Sequence, residues 1–196
     1  MAKENKSKYA VLGALSVCPG SGYDIKKMME QSTSNFWNES YGQIYPILKQ
    51  LIEEGLAISR AEKQEGKPER YVYTLTEQGS EELQRWLTEP VEYVVERNEL
   101  LLKLYFGKHV TVAKNIEHVR TFRQLQAQVL KKYEHIERHL RAGMTENLDL
   151  FYPLLTLRHG IHRCQAMLAW CEEILASLET LEKQGELSIE RNNDNG

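Results

Sequence analysis

The sequence predicts a mainly α-helical protein with one small β-hairpin, and two adjacent patterns carry this prediction. Between Ile44 and Ile52 the apolar residues recur at intervals of three and four, which is the spacing of one buried helical face. Directly after Gly55, which can end that helix, residues 56–61 and 71–76 have the composition of two strands around a polar turn. A helix followed at once by a hairpin is the core of a winged helix-turn-helix, which we expect in residues 1–88.

Length and composition are those of a soluble protein with one or two cores. The chain has 196 residues, of which 41% are hydrophobic and 27% are charged. No apolar run approaches the roughly 20 residues that span a bilayer, and the N-terminus lacks a secretion signal, so we expect a cytoplasmic protein without membrane contact. The three cysteines, Cys18, Cys164 and Cys171, form no C-x-x-C pair and are expected to be small core residues.

Two helices are predicted before the one described above. Ser7 is expected to cap the first, and the C-P-G run at 18–20 ends it. Ser21 and Asp24 have nearly the spacing and chemistry of a capping box at the start of the second. In a helix-turn-helix this second helix crosses the DNA backbone, and its N-terminal amides can bind a phosphate. Its candidate DNA contacts are Tyr23 and Lys26, and both Lys26 and Lys27 are expected to face outward.

Pro46 limits where the third helix begins, because proline lacks an N–H and is tolerated best in a first turn. We therefore expect the helix to begin near Tyr41. Its first turns would present Tyr41, Gln43 and Tyr45, the part of a recognition helix that reaches base edges. Gln43 can pair bidentately with adenine, and the tyrosines can contact phosphates or thymine methyls. Half-buried packing is the alternative for Tyr41 and Tyr45.

The charge balance gives no simple support for binding to nucleic acid. The net charge is −3, and residues 1–80 hold ten Lys or Arg and ten Asp or Glu. Affinity for DNA would therefore depend on local groups of positive charge. One such group surrounds the hairpin tip, where a solvated loop is the alternative. There the cations Lys63, Lys67 and Arg70 alternate with Glu62, Glu65 and Glu69.

The rest of the chain predicts a helical domain at 97–185, after a linker at 89–96. Thr76 opens a helix that stops before Pro90, and Asn98 caps the short run L-L-L-K-L-Y-F. Because that run is apolar around most of its circumference, we expect a second subunit to cover part of it. Two long helices follow, the first from about 112 to 140. Residues 186–196 are polar and are predicted to be disordered.

The last helix carries seven apolar residues spaced by four and three, which is a coiled-coil seam. An antiparallel hairpin of the two long helices that pairs with its symmetry mate would bury both this seam and the apolar residues beside it. A monomeric hairpin folded back on the winged helix is the alternative. The predicted dimer-interface residues are Leu157, Ile161, Cys164, Leu168, Cys171, Leu175 and Leu178.

Four motifs in order resemble the PadR family of bacterial transcriptional regulators: Y-A-V-L-G-A-L, S-G-Y-D-I, F-W-N-E-S-Y-G-Q-I-Y-P-I-L-K-Q-L-I-E-E-G-L and Y-T-L-T-E-Q-G. Downstream, R-N-E-L-L-L-K-L-Y-F and the terminal helix are similar to the dimerisation domain of its longer members. The resemblance implies a dimeric repressor that leaves an inverted-repeat operator when a small effector binds. In the phenolic-acid-responsive members that effector is an aromatic acid. The DNA contacts that the resemblance implies are Tyr23, Ser40, Tyr41, Gln43, Tyr45, Lys49, Lys67 and Arg70.

An aromatic acid needs an apolar slot with a cation or hydrogen-bond donor at one end, and aromatic walls at a domain junction can form one. Ordinary core packing is the alternative for these aromatic residues. The candidate effector-binding residues are Trp86, Tyr93, Tyr105, Phe106 and Trp170 for the walls, and Arg158, His159 or His162 for the carboxylate.

Two other functions stay open at this point. A metal-responsive regulator would use His135 with His139, or His159 with His162, together with Cys164 or a carboxylate. A protein-interaction dimer whose winged helix has lost DNA binding would explain the neutral charge of the N-terminal half. The sequence contains no glycine-rich phosphate loop and no nucleophile elbow, so we expect neither an enzyme nor a cofactor, and no resident metal is predicted.

Overall fold

The computed structural model describes residues 5–34, 36–62, 70–93, 95–143 and 148–193, with side chains described as far as residue 184, except at 148. The chain divides into two compact units, Met1–Tyr93 and Val94–Gly196. The division falls within the segment 89–96, which the sequence predicts to be a linker.

The first unit has four helices and a two-stranded antiparallel hairpin in its described residues. Three helices precede the hairpin and one follows it, which is the order of a winged helix-turn-helix, and the predicted fold class is confirmed. The elements are α1 (Lys6–Val17), α2 (Gly22–Gln31), α3 (Tyr41–Glu53), β1 (Ala57–Glu62), β2 (Arg70–Leu75) and α4 (Glu77–Leu87).

Local capping groups determine where these helices begin and end. Ser21 and Asp24 form the predicted capping box of α2, and the Thr76 hydroxyl accepts a hydrogen bond at the start of α4. Gly55 ends α3 with φ +73°, a conformation that favours glycine. The predicted cap of α1 was wrong, because Asn5 is the cap and accepts a hydrogen bond from the Ser7 amide at 3.2 Å.

The core of the first unit lies between α1, α2, α3 and the base of the hairpin. The predicted inward face of α3 is buried, and Ile44, Leu48 and Leu51 have no exposed surface. Ile52 lies at the edge of this face and is partly exposed. Burial of one side of α3 leaves the opposite side of the helix available for contact with another molecule.

A polar network surrounds the buried ring of Tyr9, where α1 meets α4. Tyr9 stacks on Trp86 with ring centroids 4.6 Å apart, and its hydroxyl donates to Glu82 Oε1 at 3.0 Å. Lys8 Nζ lies 3.3 Å from the same carboxylate. Hydrogen bonds from Arg85, Tyr9 and Lys8 lower the pKa of Glu82 from 4.5 to about 2.

We expect Glu82 to make the first unit sensitive to acid. Its pKa is lowered on folding, so its stabilising effect is complete above about pH 4.5 and is lost as the pH falls towards 2. Since Glu82 keeps some solvent contact, we expect a loss of about 2 kcal/mol over this range. Urea unfolding followed by circular dichroism at pH 7, 5 and 3 should show this loss in the wild type and a much smaller one in Glu82→Gln. Equal pH dependence in the two proteins would contradict the assignment.

In its described residues, the secondary structure of the second unit consists of α-helices and 3₁₀ turns. It contains α5 (Glu99–Tyr105), a 3₁₀ turn (Gly107–His109), α6 (Val112–Gly143), a second 3₁₀ turn (Leu148–Leu150) and α7 (Phe151–Asn193). Asn98 caps α5 as predicted, by accepting a hydrogen bond from the Leu101 amide at 3.1 Å. Helix α7 reaches Asn193 and thus enters the segment 186–196, which the sequence predicts to be disordered.

Helices α6 and α7 pack against each other as an antiparallel hairpin. Ile116 and Val119 of α6 meet Cys171 and Leu175 of α7 in one hydrophobic cluster. Most of the predicted seam of α7 is therefore already buried within a single chain. The buried seam residues are Leu157, Ile161, Cys164, Cys171 and Leu175, while Leu168 and Leu178 are half-buried.

Candidate nucleic-acid interface

The outward side of α3 carries Tyr41, Tyr45 and Lys49, each one turn after the last, and we call these three residues the α3 face. Tyr41 and Tyr45 are 43% and 51% exposed, with ring centroids 6.4 Å apart. Lys49 is exposed and lies 3.7 Å from Glu53 Oε1. The α3 face thus combines aromatic surface, hydroxyl groups and one ammonium, which are groups that contact phosphates and thymine methyls.

Gln43 has a structural task at the start of α3. Its Oε1 accepts hydrogen bonds from the Ser40 amide and from the Ser40 hydroxyl, each at 2.8 Å. Bidentate pairing with adenine needs both the oxygen and the nitrogen of the glutamine amide. The predicted base contact of Gln43 therefore competes with its hydrogen bonds to Ser40.

A cleft of about 350 Å³ lies beside the α3 face, where the start of α2 meets β2. Gly22 is the first residue of α2, and a Cβ on it would lie 2.7 Å from the ring of Tyr45. The absence of a side chain at Gly22 therefore lets this ring pack against the start of α2. Burial raises the pKa of Tyr73. The cleft is lined by Ser21, Gly22, Tyr23, Asp24, Tyr45, Arg70, Tyr71 and Tyr73.

Arg70, at the start of β2, is held by two carboxylates. Its Nε and Nη2 donate to Glu62 Oε2 at 3.2 and 3.0 Å, and its Nη1 donates to Asp24 Oδ2 at 3.5 Å. Asp24 also accepts hydrogen bonds from the Ser21 hydroxyl at 2.7 Å and the Ser21 amide at 2.9 Å. These bonds from Ser21, with the charge of Arg70, lower the pKa of Asp24.

Lys26 does not face outward, and that prediction was wrong. It is 8% exposed, its Nζ donates to Asn38 Oδ1 at 2.8 Å, and the same atom lies 3.2 Å from Glu30 Oε1. The reason is geometric, because residue 26 shares the buried face of α2 with residues 22, 25 and 29, which are spaced by three and four. Lys27 and Tyr23 are exposed as expected.

Tyr71 is exposed and lines the cleft, although the sequence did not predict it as a site residue. The alternating pattern Y-V-Y-T-L-T could have predicted it, because residues two apart in a strand, such as Tyr71 and Tyr73, lie on the same face. Lys67, predicted at the tip of the hairpin, lies outside the described residues.

The aromatic residues predicted to bind an effector are divided between the two units. In the first unit, Trp86 stacks on Tyr9, whereas Tyr93 is almost fully exposed. In the second unit, Tyr105 and Phe106 are exposed and meet edge to face at 5.1 Å. Trp170 is half-buried against the hydrophobic cluster of α6 and α7.

The residues predicted to bind a carboxylate lie near the start of α7. Arg158 Nη1 donates to Glu137 at 3.3 Å, and its Nη2 lies 3.3 Å from His162 Nε2. His159 is exposed. The Arg158 guanidinium thus has an acidic partner that a bound acid would have to displace.

The histidine pairs do not assemble a metal centre in the part of the chain that the structure describes, where no group of three or more His, Cys, Asp or Glu is placed to hold an ion. The rings of His135 and His139 lie 4.3 Å apart, and His139 Nδ1 is 2.8 Å from the carbonyl oxygen of His135. Burial raises the pKa of the Cys164 thiol, which disfavours the thiolate that binds metals. Within the described residues, none of the helices is long and apolar enough to span a membrane.

Each of the two units matches a known protein family. Residues 11–85 match the PadR-like transcriptional regulator family, and residues 96–179 match the C-terminal domain of virulence activator alpha. The negative transcriptional regulator PadR of Bacillus subtilis is 33% identical over 181 residues, which are 88% of this chain and 97% of that protein. The chain belongs to the PadR family. The resemblance noted in the sequence is therefore confirmed, and this PadR-family chain is a transcriptional regulator.

Solved structures of PadR proteins agree with the fold of this PadR-family chain. The crystal structure of B. subtilis PadR in complex with operator DNA has a TM-score of 0.78 at 31% identity, covering 89% of this chain and 99% of that one. The same protein in complex with p-coumaric acid has a TM-score of 0.72 at 30% identity, with the same coverage. A PadR-like regulator from Bacillus cereus has a TM-score of 0.73 at 28% identity, again covering 89% and 99%.

Proposed function

We propose that this PadR-family chain is a homodimeric repressor that binds an inverted-repeat operator through α3 and releases it when a small aromatic acid binds. The observation that carries the proposal is the α3 face, because its exposed side chains stand on a helix whose other side is buried in the core. The relative from B. subtilis has been crystallised with operator DNA and with p-coumaric acid, which supports both ligand classes.

The α3 face would enter the major groove, with Tyr41 and Tyr45 near base edges and Lys49 near a phosphate. Beside it, the cleft brings Tyr23 and the first amides of α2 to the same side of the unit, and these donors suit a backbone phosphate. The proposed contacts also include Ser40, Gln43, Arg70 and Lys67. Lys26 is a weaker candidate, because Asn38 and Glu30 already hold its ammonium.

Replacing Gln43 separates its structural task from base reading. Gln43→Glu keeps an oxygen acceptor for the Ser40 amide but loses the amide donor that adenine N7 requires, so specific affinity should fall by about 1–3 kcal/mol with the melting temperature little changed. Gln43→Ala should lose both specific affinity and helix stability, the latter by about 1 kcal/mol. Anisotropy titrations on operator and unrelated duplexes measure the affinities of both variants, and thermal melts measure their stabilities. An equal loss on both duplexes in Gln43→Ala would contradict base reading.

Exposed apolar side chains of the second unit support the homodimer. None of the residues of α5 is buried, although the helix and the residue after it carry Leu101, Leu102, Tyr105 and Phe106 on partly or largely exposed surface. Large apolar patches on a soluble chain mark sites of association. We therefore place α5 at the proposed interface. The predicted seam of α7 would act mainly within each chain, since most of its residues are already buried there.

The proposed effector acts by selecting one arrangement of the dimer. An aromatic acid releases DNA only if it binds better to a dimer whose two α3 helices have the wrong spacing or tilt. A preference of roughly 3 kcal/mol would lower operator affinity about 100-fold. Within the second unit, Tyr105 and Phe106 are candidates for the pocket because their rings are exposed and meet edge to face. Trp170, Arg158 and His159 of the same unit complete the proposed set.

The test is an anisotropy titration of the protein against its own upstream promoter DNA at several salt concentrations, with and without p-coumaric acid. We expect saturable binding that weakens steeply with salt and is reversed by the acid. Cyclohexanepropionic acid is the matched control, because it keeps the carboxylate but has no aromatic ring. DNA binding that p-coumaric acid does not weaken would contradict the effector assignment. DNA binding that does not depend on salt would contradict phosphate recognition.

A further inference from the structure

The ion pairs of Arg70 connect the hairpin to the start of α2. Glu62 and Arg70 face each other across the last pair of β1 and β2 that the structure describes, and Asp24 approaches the same guanidinium from α2. All three side chains are between 43% and 48% exposed. A phosphate arriving from solvent can therefore reach Arg70 without rearrangement of the core.

The two carboxylates have different tasks. Asp24 belongs to the capping box of α2 and accepts two hydrogen bonds from Ser21, so it is needed for the start of that helix. Glu62 makes no ion pair other than that with Arg70 in the described part of the chain. Removal of the Glu62 charge should therefore leave the fold intact while changing the charge presented by Arg70.

We propose that Glu62 is a positioning residue that limits DNA affinity, by holding Arg70 in an ion pair that an operator phosphate must displace. The inference rests on the proposed function, because it requires DNA on the side of the first unit formed by the α3 face and the cleft. Because the Glu62 carboxylate pairs with Arg70 in the free protein, the phosphate must replace this ion pair before it gains the full charge of Arg70. Glu62 thereby sets the affinity at a lower value than the cations alone would give.

The direct test compares wild type with Glu62→Gln on the upstream promoter duplex and on an unrelated duplex. We expect Glu62→Gln to bind both about three- to tenfold more tightly, because a phosphate contact carries no base information. The slope of log affinity against log salt should become steeper by about one, since Arg70 then neutralises a phosphate without losing a carboxylate partner. Glu81→Gln is the matched control, because it removes the same charge from an exposed position on α4.

A second background separates positioning from the simple loss of a negative charge. In Arg70→Gln, the additional change Glu62→Gln should raise affinity less than twofold if Glu62 acts through Arg70. An equal gain in both backgrounds, or a gain no larger than that of Glu81→Gln, would overturn the inference while leaving the proposed function in place. Absence of saturable DNA binding in the wild type would instead overturn the proposed function, and this inference with it. Circular dichroism melts of each variant confirm that folded proteins are compared.

Discussion

Replacing Gly79 by Ala should lower the stability of the first unit by about 3–5 kcal/mol, which is a large part of the stability of a typical domain. A Cβ at residue 79 would lie 2.1 Å from the carbonyl oxygen of Leu56 and 2.8 Å from Cδ1 of Leu75. The carbonyl cannot simply move aside, because it accepts a hydrogen bond from the Thr76 amide at 3.1 Å. The clash would therefore separate α4 from the base of the hairpin.

Gly13 supplies the matched control for this prediction. It also lies within a helix of the first unit, but a Cβ there would meet no atom within 4 Å. Gly13→Ala should therefore stabilise the protein by about 0.5–1 kcal/mol, since alanine is the better helix former. Urea unfolding followed by far-ultraviolet circular dichroism measures both variants. If the free energy of unfolding of Gly79→Ala lies within 1 kcal/mol of that of the wild type, the junction of hairpin and α4 is looser than the structure indicates.

The second large effect is expected on DNA affinity rather than on stability. Gly22→Ala should weaken operator binding about 10- to 100-fold while the protein stays folded. The new Cβ would lie 2.7 Å from the ring of Tyr45, and that ring is half exposed, so the ring moves instead of the backbone. Tyr45 would then leave the α3 face, where we propose that it lies near base edges.

Tyr45→Ala and the double variant test this explanation by anisotropy on the promoter duplex. If Gly22→Ala acts by displacing Tyr45, the two single changes should not add, and the double variant should bind little worse than the weaker single variant. Gly13→Ala should bind as the wild type does, since residue 13 lies on α1, away from the cleft. Full additivity, or unchanged binding by Gly22→Ala, would contradict the proposed position of Tyr45.

Most of the fold could be predicted because its signals are local. The apolar period of α3, the caps at Ser21, Thr76 and Asn98, and the glycine that ends α3 are all set by residues a few positions apart. The spacing S-Y-G-Q at 40–43 is also a local signal for a capping box. The sequence nevertheless led us to predict that Gln43 reads a base, and not that it caps α3. Each polar side chain near a helix start has a capping alternative that must be weighed first.

Other features could not be predicted because their partners are distant in sequence or uncertain in identity. The burial of Lys26 depends on Asn38, which lies outside its helix, and the ion pair between Arg70 and Asp24 joins residues 46 positions apart. The seam of α7 illustrates an uncertain partner. A heptad pattern indicates that a helix packs against another apolar helix, but it does not show whether that helix belongs to the same chain or to a second copy.

The central claim is that two copies of this PadR-family chain bind one inverted repeat through α3. Native mass spectrometry of the protein with its own upstream promoter duplex, cut to a single inverted repeat, tests this claim most directly. We predict one complex of two chains per duplex, which disappears when either half of the repeat is scrambled and is strongly weakened in Lys49→Glu. One chain per duplex, or a complex unaffected by scrambling and by Lys49→Glu, would contradict it.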